Sequence, residues 1–305
     1  MTPDPPTKTA MRTLTVNHRT SYRYDRPVTF GAHRLMVRPR DSHEFRLLEA
    51  RLRIVPQATA RWLFDIFGNS IARLDFEHAS DALDIESIIT LEHFGIELPD
   101  FRMVEDYAQQ IPFSYAPEES GDLGRTHRLH SRESGRQQIR AWAEGFLTSG
   151  KTGGTVETLM EMNRHIQRNF EYRRREEHGT QEPAYTLSRG SGSCRDFALL
   201  YMEAVRSLGL AARFVTGYLY DPAADGAAAT VQGAGATHAW ASVYLPGAGW
   251  VDFDPTNGLA GGQNLITVAT ARAPSQAVPV DGTYFGPPEA FQSMEVEVLV
   301  TQTHD

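Results

Sequence analysis

Three residues in the C-terminal half of the chain have the types and order needed for nucleophilic catalysis. Cys194, the only cysteine among 305 residues, stands in the segment R-G-S-G-S-C-R-D-F-A. His238 opens the segment H-A-W-A-S-V-Y-L, and Asp254 ends the segment G-W-V-D-F-D. A thiolate attacks carbonyl carbons, a histidine can accept the thiol proton, and a carboxylate can hold the imidazole in the tautomer that does so. The three residues therefore predict a Cys-His-Asp triad for acyl transfer or amide hydrolysis.

The segment around Cys194 predicts the start of a helix. Ser193 is a suitable N-cap, and its spacing to Asp196 is that of a capping box. Gly209 stands where a glycine commonly follows a helix. The first position of a helix faces the positive end of the helix dipole, which favours the nucleophilic thiolate. The alternative is that Cys194 is a small buried apolar residue at the edge of the helix. The apolar positions that define the predicted face of the helix are Phe197, Leu200, Tyr201, Ala204, Val205 and Leu208.

Two strands are expected to position the histidine and the carboxylate. The runs that contain His238 and Asp254 are separated by a turn at Pro246 and Gly247, which predicts an antiparallel pair. In such a pair the start of one strand lies beside the end of the next. Asp252 is the competing carboxylate, since it lies two residues from Asp254 and points to the same face of an undistorted strand. We prefer Asp254 because Pro255 ends the strand immediately after it and leaves it level with His238.

Composition excludes several classes of protein. The formal net charge is −8, which disfavours general binding to nucleic acids or anionic membranes. The first twenty residues contain no apolar segment typical of a secretory signal, and no window approaches the ~18 apolar residues of a membrane span. A single cysteine also excludes an internal disulfide. We therefore expect a cytoplasmic protein that binds neither nucleic acid nor membrane.

The chain divides into four segments by pattern. Residues 1–10 are rich in Pro and Thr and predict a disordered lead-in. Residues 11–95 alternate apolar and polar positions, which predicts an antiparallel β domain. Residues 96–135 contain prolines and a long polar stretch, and are expected to form a linker or surface excursion. Residues 136–305 combine helical periodicity with later strands and a C-terminal strand, which predicts an α+β catalytic core.

No residues predict a cofactor or metal site. His127 and His130 have an H-x-x-H spacing, but no third ligand stands near them, so a solvated loop is the better interpretation. No D-x-D-x-D-G-type loop for calcium is present.

At the three predicted catalytic residues the sequence resembles the bacterial transglutaminase-like family. The resemblance lies in G-S-C-R-D-F-A, L-A-A-R-F-V-T-G-Y-L-Y, T-H-A-W-A-S-V-Y-L-P-G-A-G-W and V-D-F-D-P-T-N-G, and in the N-terminal segment H-R-T-S-Y-R-Y-D-R-P-V. It covers nearly the whole chain from about Thr13. The family implies an N-terminal β domain followed by a papain-like transglutaminase core, with Cys194, His238 and Asp254 as the triad. It includes cysteine proteases, amidases and cross-linking acyltransferases, so it implies a peptide or protein substrate without choosing the reaction.

Other residues have weaker predicted roles. Tyr172, upstream of the cysteine, is a candidate side-chain donor to an oxyanion. Trp240 could contact substrate, and with Tyr218, Tyr220 and Trp250 it could line a substrate channel, although aromatic residues on such strands are more often core. The alternative function is a non-catalytic peptide-binding module on the same fold. A metal site formed by the three triad residues is a third possibility, disfavoured by the absence of C-x-x-C or H-x-x-x-H spacing.

Overall fold

The N-terminal part of the chain folds as two antiparallel sheets. The computed structural model describes residues 11–94, 99–130, 133–148, 150–175, 177–222, 235–262 and 264–303. Residues 1–10, predicted to be disordered, lie outside the described residues. The strands of the N-terminal part are β1 (Arg12–Phe30), β2 (His33–Leu35), β3 (Phe45–Val55), β4 (Ala58–Phe64), β5 (Ser70–Phe76) and β6 (Ser80–His93).

Alternation of apolar side chains explains why these segments form strands. In β6 every second residue from Leu83 to His93 is buried, as expected for a strand with one face on a core. Gly68 and Asn69, predicted to turn the chain, lie in the loop between β4 and β5, where Gly68 has a φ of 77°. The Asp65 carboxylate accepts the backbone N–H of Asn69 at 2.8 Å and so closes this loop.

The part of the chain from residue 110 to residue 271 combines helices with a further antiparallel sheet. The helices are α1 (Pro117–Leu123), α2 (Glu133–Glu144), α3 (Thr155–Asn169), α4 (Pro183–Arg189) and α5 (Cys194–Ser207). The strands are β7 (Gln110–Ile111), β8 (Gly153–Gly154), β9 (Glu171–Tyr172), β10 (Ser191–Gly192), β11 (Ala212–Leu219), β12 (His238–Leu245), β13 (Gly249–Asp254), β14 (Leu259–Ala260) and β15 (Leu265–Ala271). The main sheet has the order β14-β13-β12-β11-β15, and α5 packs on β12 and β11. The predicted α+β fold is thus confirmed.

The last part of the chain returns to the N-terminal sheets. It contains β16 (Val280–Asp281), β17 (Tyr284–Phe285) and β18 (Phe291–Thr303). β18 pairs with β1 along most of its length, from Thr13 opposite Thr303 to Tyr24 opposite Phe291. The two sheets have the orders β17-β1-β6-β3, with β18 also on β1, and β16-β2-β5-β4. The C-terminal strand was predicted to belong to the core, and this assignment is wrong. An alternating pattern identifies a strand but not its partner, which is chosen by the open edge of β1.

Residues 99–130, which lie in the segment predicted to form a linker or surface excursion, pack against the core. Val104, Ala108 and Ile111 are buried in the main hydrophobic cluster. The carbonyl of Thr126 accepts the Nε–H of Arg206 in α5 at 2.8 Å. The segment has only a few buried positions, and they are separated by prolines and polar residues. Its sequence therefore resembles that of an exposed excursion.

One hydrophobic cluster joins the N-terminal sheets to the core. Leu14, Val16 and Leu91 of the sheets lie in the same buried cluster as Tyr218 and Ile266 of the core. The N-terminal domain therefore packs against the core by burial of shared apolar surface. Within the described residues, no helix combines the length and apolar character required to span a bilayer.

Candidate active site

The helix that carries Cys194 begins at a well-defined cap. Ser193 is the N-cap, and both halves of the capping box with Asp196 are present, as predicted. The Asp196 carboxylate is fully buried, and it accepts the Ser193 N–H at 2.9 Å and an N–H of the Arg175 guanidinium at 2.9 Å. Cys194 is the first residue of α5 and is 5% exposed. Its sulfur therefore lies at the helix start, where backbone N–H groups have no partner within the helix.

His238 and Asp254 meet at one edge of the main sheet. His238 is the first residue of β12 and Asp254 the last of β13. The Nε2–H of His238 donates to Oδ2 of Asp254 at 2.9 Å, and neither side chain is exposed to solvent. Asp254 also accepts the backbone N–H of Thr256 at 2.9 Å and the side-chain N–H of Asn257 at 2.8 Å. Three donors thus hold the carboxylate in place.

Two of these donors were missed by the sequence analysis. Thr256 and Asn257 belong to the D-P-T-N segment that follows β13. The Asp-Pro dipeptide at 254–255 is typical of a turn. In such a turn the Asp carboxylate often accepts the backbone N–H two residues later, and this signal could have identified Thr256.

The electrostatics of His238 follow from its partners. Burial alone would lower its pKa, but the charge and hydrogen bond of Asp254, and then the nearby Cys194 thiol, raise the pKa above its usual value. Burial raises the pKa of Asp254, but the charge of His238 and the hydrogen bonds described above keep it below its usual value. Nδ1 of His238 is buried and has no hydrogen-bond partner among the described residues. Because Nε2 carries the proton given to Asp254, Nδ1 is the nitrogen that can accept a proton from a thiol.

The competing carboxylate, Asp252, has a different partner. Its Oδ2 accepts the indole N–H of Trp240 at 2.8 Å. Burial raises its pKa, while the bond from Trp240 and the positive charge of Arg213 oppose that change. The guanidinium of Arg213 lies 3.7 Å from the centre of the Trp250 ring. The structure therefore places Asp254, not Asp252, on His238, as the position of Pro255 had predicted.

Trp240 is fully buried, and its N–H is used by Asp252. Its ring stacks near His238, with centroids 6.0 Å apart and planes at 30°. This N–H is therefore used by the buried Asp252, which needs a donor, and the predicted contact of Trp240 with substrate or an oxyanion stays a prediction. Tyr218 and Tyr220 are also buried, and Trp250 is covered by Arg213. Tyr218, Tyr220 and Trp240 thus belong to the core, whereas Trp250 is half-buried.

Tyr172 lies close to the cysteine. It belongs to β9, which pairs in parallel with β10 so that Tyr172 stands opposite Gly192. Burial, followed by the neighbouring Cys194, raises the pKa of Tyr172 to about 12, so its hydroxyl keeps its proton and can donate. The geometry is compatible with the predicted oxyanion contact.

The described residues contain no group of three or more His, Cys, Asp or Glu side chains arranged to hold a metal ion. In the predicted loop, the N–H of His130 donates to Glu203 at 2.8 Å, and Nδ1 of His127 is buried without a partner in the described part of the chain.

Comparison with known proteins assigns the family. Residues 129–255 match the model of the transglutaminase-like superfamily, and residues 14–92 match that of the bacterial transglutaminase-like N-terminal region. An uncharacterized protein of Mycobacterium tuberculosis strain H37Rv is 30% identical over 288 residues, which cover 88% of this chain and 87% of that protein. The chain belongs to the transglutaminase-like superfamily. All three predicted catalytic residues lie within the matched core.

Further relatives agree with this assignment. An uncharacterized protein of Mycobacterium leprae is 23% identical over 305 residues, which cover 95% of this chain and 98% of that protein. Among solved structures, a Cytophaga hutchinsonii protein provisionally named a cysteine protease has a TM-score of 0.70 at 18% identity. The match covers 98% of this transglutaminase-like chain and 93% of the other, and it shows that the two share a fold.

Proposed function

We propose that this protein is a thiol enzyme that acts on amide bonds of peptide or protein substrates through an acyl-enzyme intermediate. The observation that carries the proposal is the bond of 2.9 Å between His238 and Asp254, with Nδ1 of His238 left free beside the thiol of Cys194. A buried carboxylate, an oriented imidazole and a helix-start cysteine are the parts that covalent acyl transfer requires.

In the proposed reaction, Nδ1 of His238 takes the proton of the Cys194 thiol. The sulfur attacks the amide carbonyl carbon, and the carbonyl π-bond becomes an oxyanion. Backbone N–H groups at the start of α5 and the hydroxyl of Tyr172 would donate to that oxyanion. His238 then returns its proton to the leaving amine as the C–N bond breaks. Asp254 stabilises the imidazolium throughout and does not itself take the proton.

The acyl group leaves when water or an amine attacks the thioester with help from His238. Attack by water gives a protease or amidase, and attack by an amine gives an acyltransferase. We favour water, because the expected cytoplasmic setting gives little need for cross-linking.

Alkylation tests the nucleophile directly. Cys194 is the only cysteine, so every alkylated thiol reports on this residue. We expect iodoacetamide to modify Cys194 of the native protein at pH 6 faster than it modifies a cysteine in a free peptide, because His238 lies beside it to accept the thiol proton. A His238→Gln variant should lose this advantage. Modification that occurs only after unfolding would contradict the proposal.

The reaction class can be read by mass spectrometry of a peptide mixture incubated with the enzyme and a primary amine. New peptide termini indicate a protease, conversion of glutamine to glutamate indicates an amidase, and amine adducts indicate an acyltransferase. A Cys194→Ala variant is the control for all three products.

A further inference from the structure

Three consecutive arginines, Arg173 to Arg175, run beside the start of α5. The backbone N–H of Arg173 donates to the carbonyl of Gly192 at 2.8 Å and so continues the parallel pairing of β9 with β10. The guanidinium of Arg175 binds Asp196 at 2.9 Å. The intervening residue, Arg174, is therefore held between two fixed points, one at Gly192 and one at Asp196, on either side of Cys194 in the sequence.

The three guanidinium groups have different surroundings. Arg173 pairs with Glu171 at 2.6 Å, and Arg175 pairs with both Asp196 and Glu177. Arg174 is exposed, and it makes no ion pair or hydrogen bond with any residue that the structure describes. Its charge is therefore available to a ligand.

A second cation lies next to the nucleophile. Arg195 directly follows Cys194 in α5, and its Nη2 donates to the backbone carbonyls of Arg175 at 3.3 Å and Glu177 at 3.5 Å. Carbonyl groups position this guanidinium but do not neutralise it. The charges of Arg174 and Arg195 both act on the Tyr172 hydroxyl, where they oppose the larger effects of burial and Cys194 on its pKa. Positive charge thus collects beside the cysteine of a chain whose net charge is −8.

We propose that Arg174, with support from Arg195, binds an anionic group of the substrate next to the amide that reacts with Cys194. The inference rests on the proposed function and adds a substrate class to it, namely acidic peptides.

Charged and neutral alkylating reagents test this proposal without a known substrate. The Cys194 thiolate attacks the methylene carbon of iodoacetate or iodoacetamide, a C–S bond forms, and iodide leaves. The two reagents differ in one negative charge, so the ratio of their second-order rate constants measures the preference of the site for anions. The charge of His238 also affects this ratio. Because His238 is the same in every variant, its effect cancels when variants are compared.

We expect Arg174→Gln to lower the ratio of iodoacetate to iodoacetamide rates by about three- to tenfold at low ionic strength, as expected for one partly solvated charge. Arg174→Lys should retain most of the wild-type ratio, since it keeps the charge. Arg173→Gln is the matched control, because that guanidinium is paired with Glu171, and it should leave the ratio unchanged. Salt at about 1 M should bring the wild-type ratio close to that of Arg174→Gln.

Two failures can be distinguished. If iodoacetamide modifies the native protein normally but Arg174→Gln leaves the ratio unchanged, or lowers it no more than Arg173→Gln does, the inference about anionic substrates is overturned and the proposed function stands. If neither reagent modifies the native wild-type protein, the proposed thiol chemistry is overturned, and this inference with it.

Discussion

Two buried histidines lie in different regions of the molecule and have opposite protonation behaviour. His18 lies at the junction of the N-terminal sheets with the core, where Nδ1 is 2.9 Å from the hydroxyl of Tyr218 and Nε2 is 3.1 Å from that of Thr20. It is 2% exposed, and burial lowers its pKa to about 4. His238 is 1% exposed, yet its pKa is raised.

The difference comes from the partners, since burial is nearly the same. Hydroxyl groups can accept or donate a hydrogen bond, but they do not stabilise a cation as a carboxylate does. His18 therefore stays neutral and joins two parts of the fold. His238 has Asp254 and can hold a proton next to Cys194. Burial sets the desolvation penalty of the charged form, and the partner determines whether a favourable interaction offsets that penalty.

The test with the largest expected effect removes the Asp254 carboxylate that contacts His238. In an Asp254→Asn variant the imidazolium loses its anionic partner, and His238 becomes a buried histidine with neutral neighbours, like His18. We expect turnover to fall by up to ~10⁴, by analogy with other triads. The rate of iodoacetamide modification at pH 6 should fall in the same direction. A variant with nearly full activity would contradict the role of Asp254.

The second test uses the neighbouring carboxylate. Asn at position 252 can still accept the Trp240 N–H, so we expect Asp252→Asn to lower activity by less than about tenfold. Arg213 would lose the nearby negative charge of Asp252, which opposes the effect of burial on the guanidinium, and we expect this loss to lower the free energy of unfolding. Urea denaturation and the alkylation rate separate the two effects. An activity loss equal to that of Asp254→Asn would remove the distinction between the two carboxylates.

The third test concerns the pH dependence contributed by His18. The unfolded state binds a proton at this residue below about pH 6.5, whereas the folded state does so only near pH 4. The wild-type protein should therefore lose up to about 3 kcal/mol of stability through His18 as pH falls across this interval. His18→Gln should lose less, as measured by urea denaturation at several pH values. The exposed His78→Gln variant is the control, and an identical pH profile for both variants would contradict the prediction.

The smallest expected effect has the opposite sign and belongs to Glu44. Burial, with a further contribution from Asp252, raises the pKa of Glu44 to about 7. The folded state therefore keeps this proton to higher pH than the unfolded state, and stability falls as pH rises from about 4.5 through 7. We expect about 2 kcal/mol, discounted for the partial exposure of Glu44.

A Glu44→Gln variant should lack this decline, whereas the exposed Glu49→Gln should retain it. The measurement is the free energy of unfolding at pH 5 and pH 8. If the free energy of unfolding of Glu44→Gln falls between pH 5 and pH 8 as much as that of the wild type, a group other than Glu44 causes the decline.

The sequence was informative where one residue type has few possible roles. A lone cysteine after a capping serine predicted the first residue of α5, and the structure has Cys194 there with both capping-box bonds. The order of the two later strands, and the proline after Asp254, predicted which carboxylate meets His238. Local rules were sufficient because caps, turns and strand ends depend on residues close in sequence.

Pairing over long distances was not predictable in the same way. β18 alternates like a core strand, and only the open edge of β1 assigns it to the N-terminal sheet, 288 residues away at Thr15 and Thr303. Residues 99–130 looked like a linker because their few buried positions have no regular spacing. An irregular segment buries its side chains against surfaces that exist only after the rest has folded.

The residues of the candidate triad and the elements that carry them were thus predictable from the sequence, whereas protonation and solvation were decided by tertiary structure. Nothing local predicts the different protonation of His18 and His238, since each lies in a strand and is almost fully buried. Their pKa values diverge because folding brings Tyr218 to one and Asp254 to the other. A pattern along the chain records which side chains are available, but a pKa depends on the charges and solvent within a few ångströms, and these are set by chain segments that meet only in the fold.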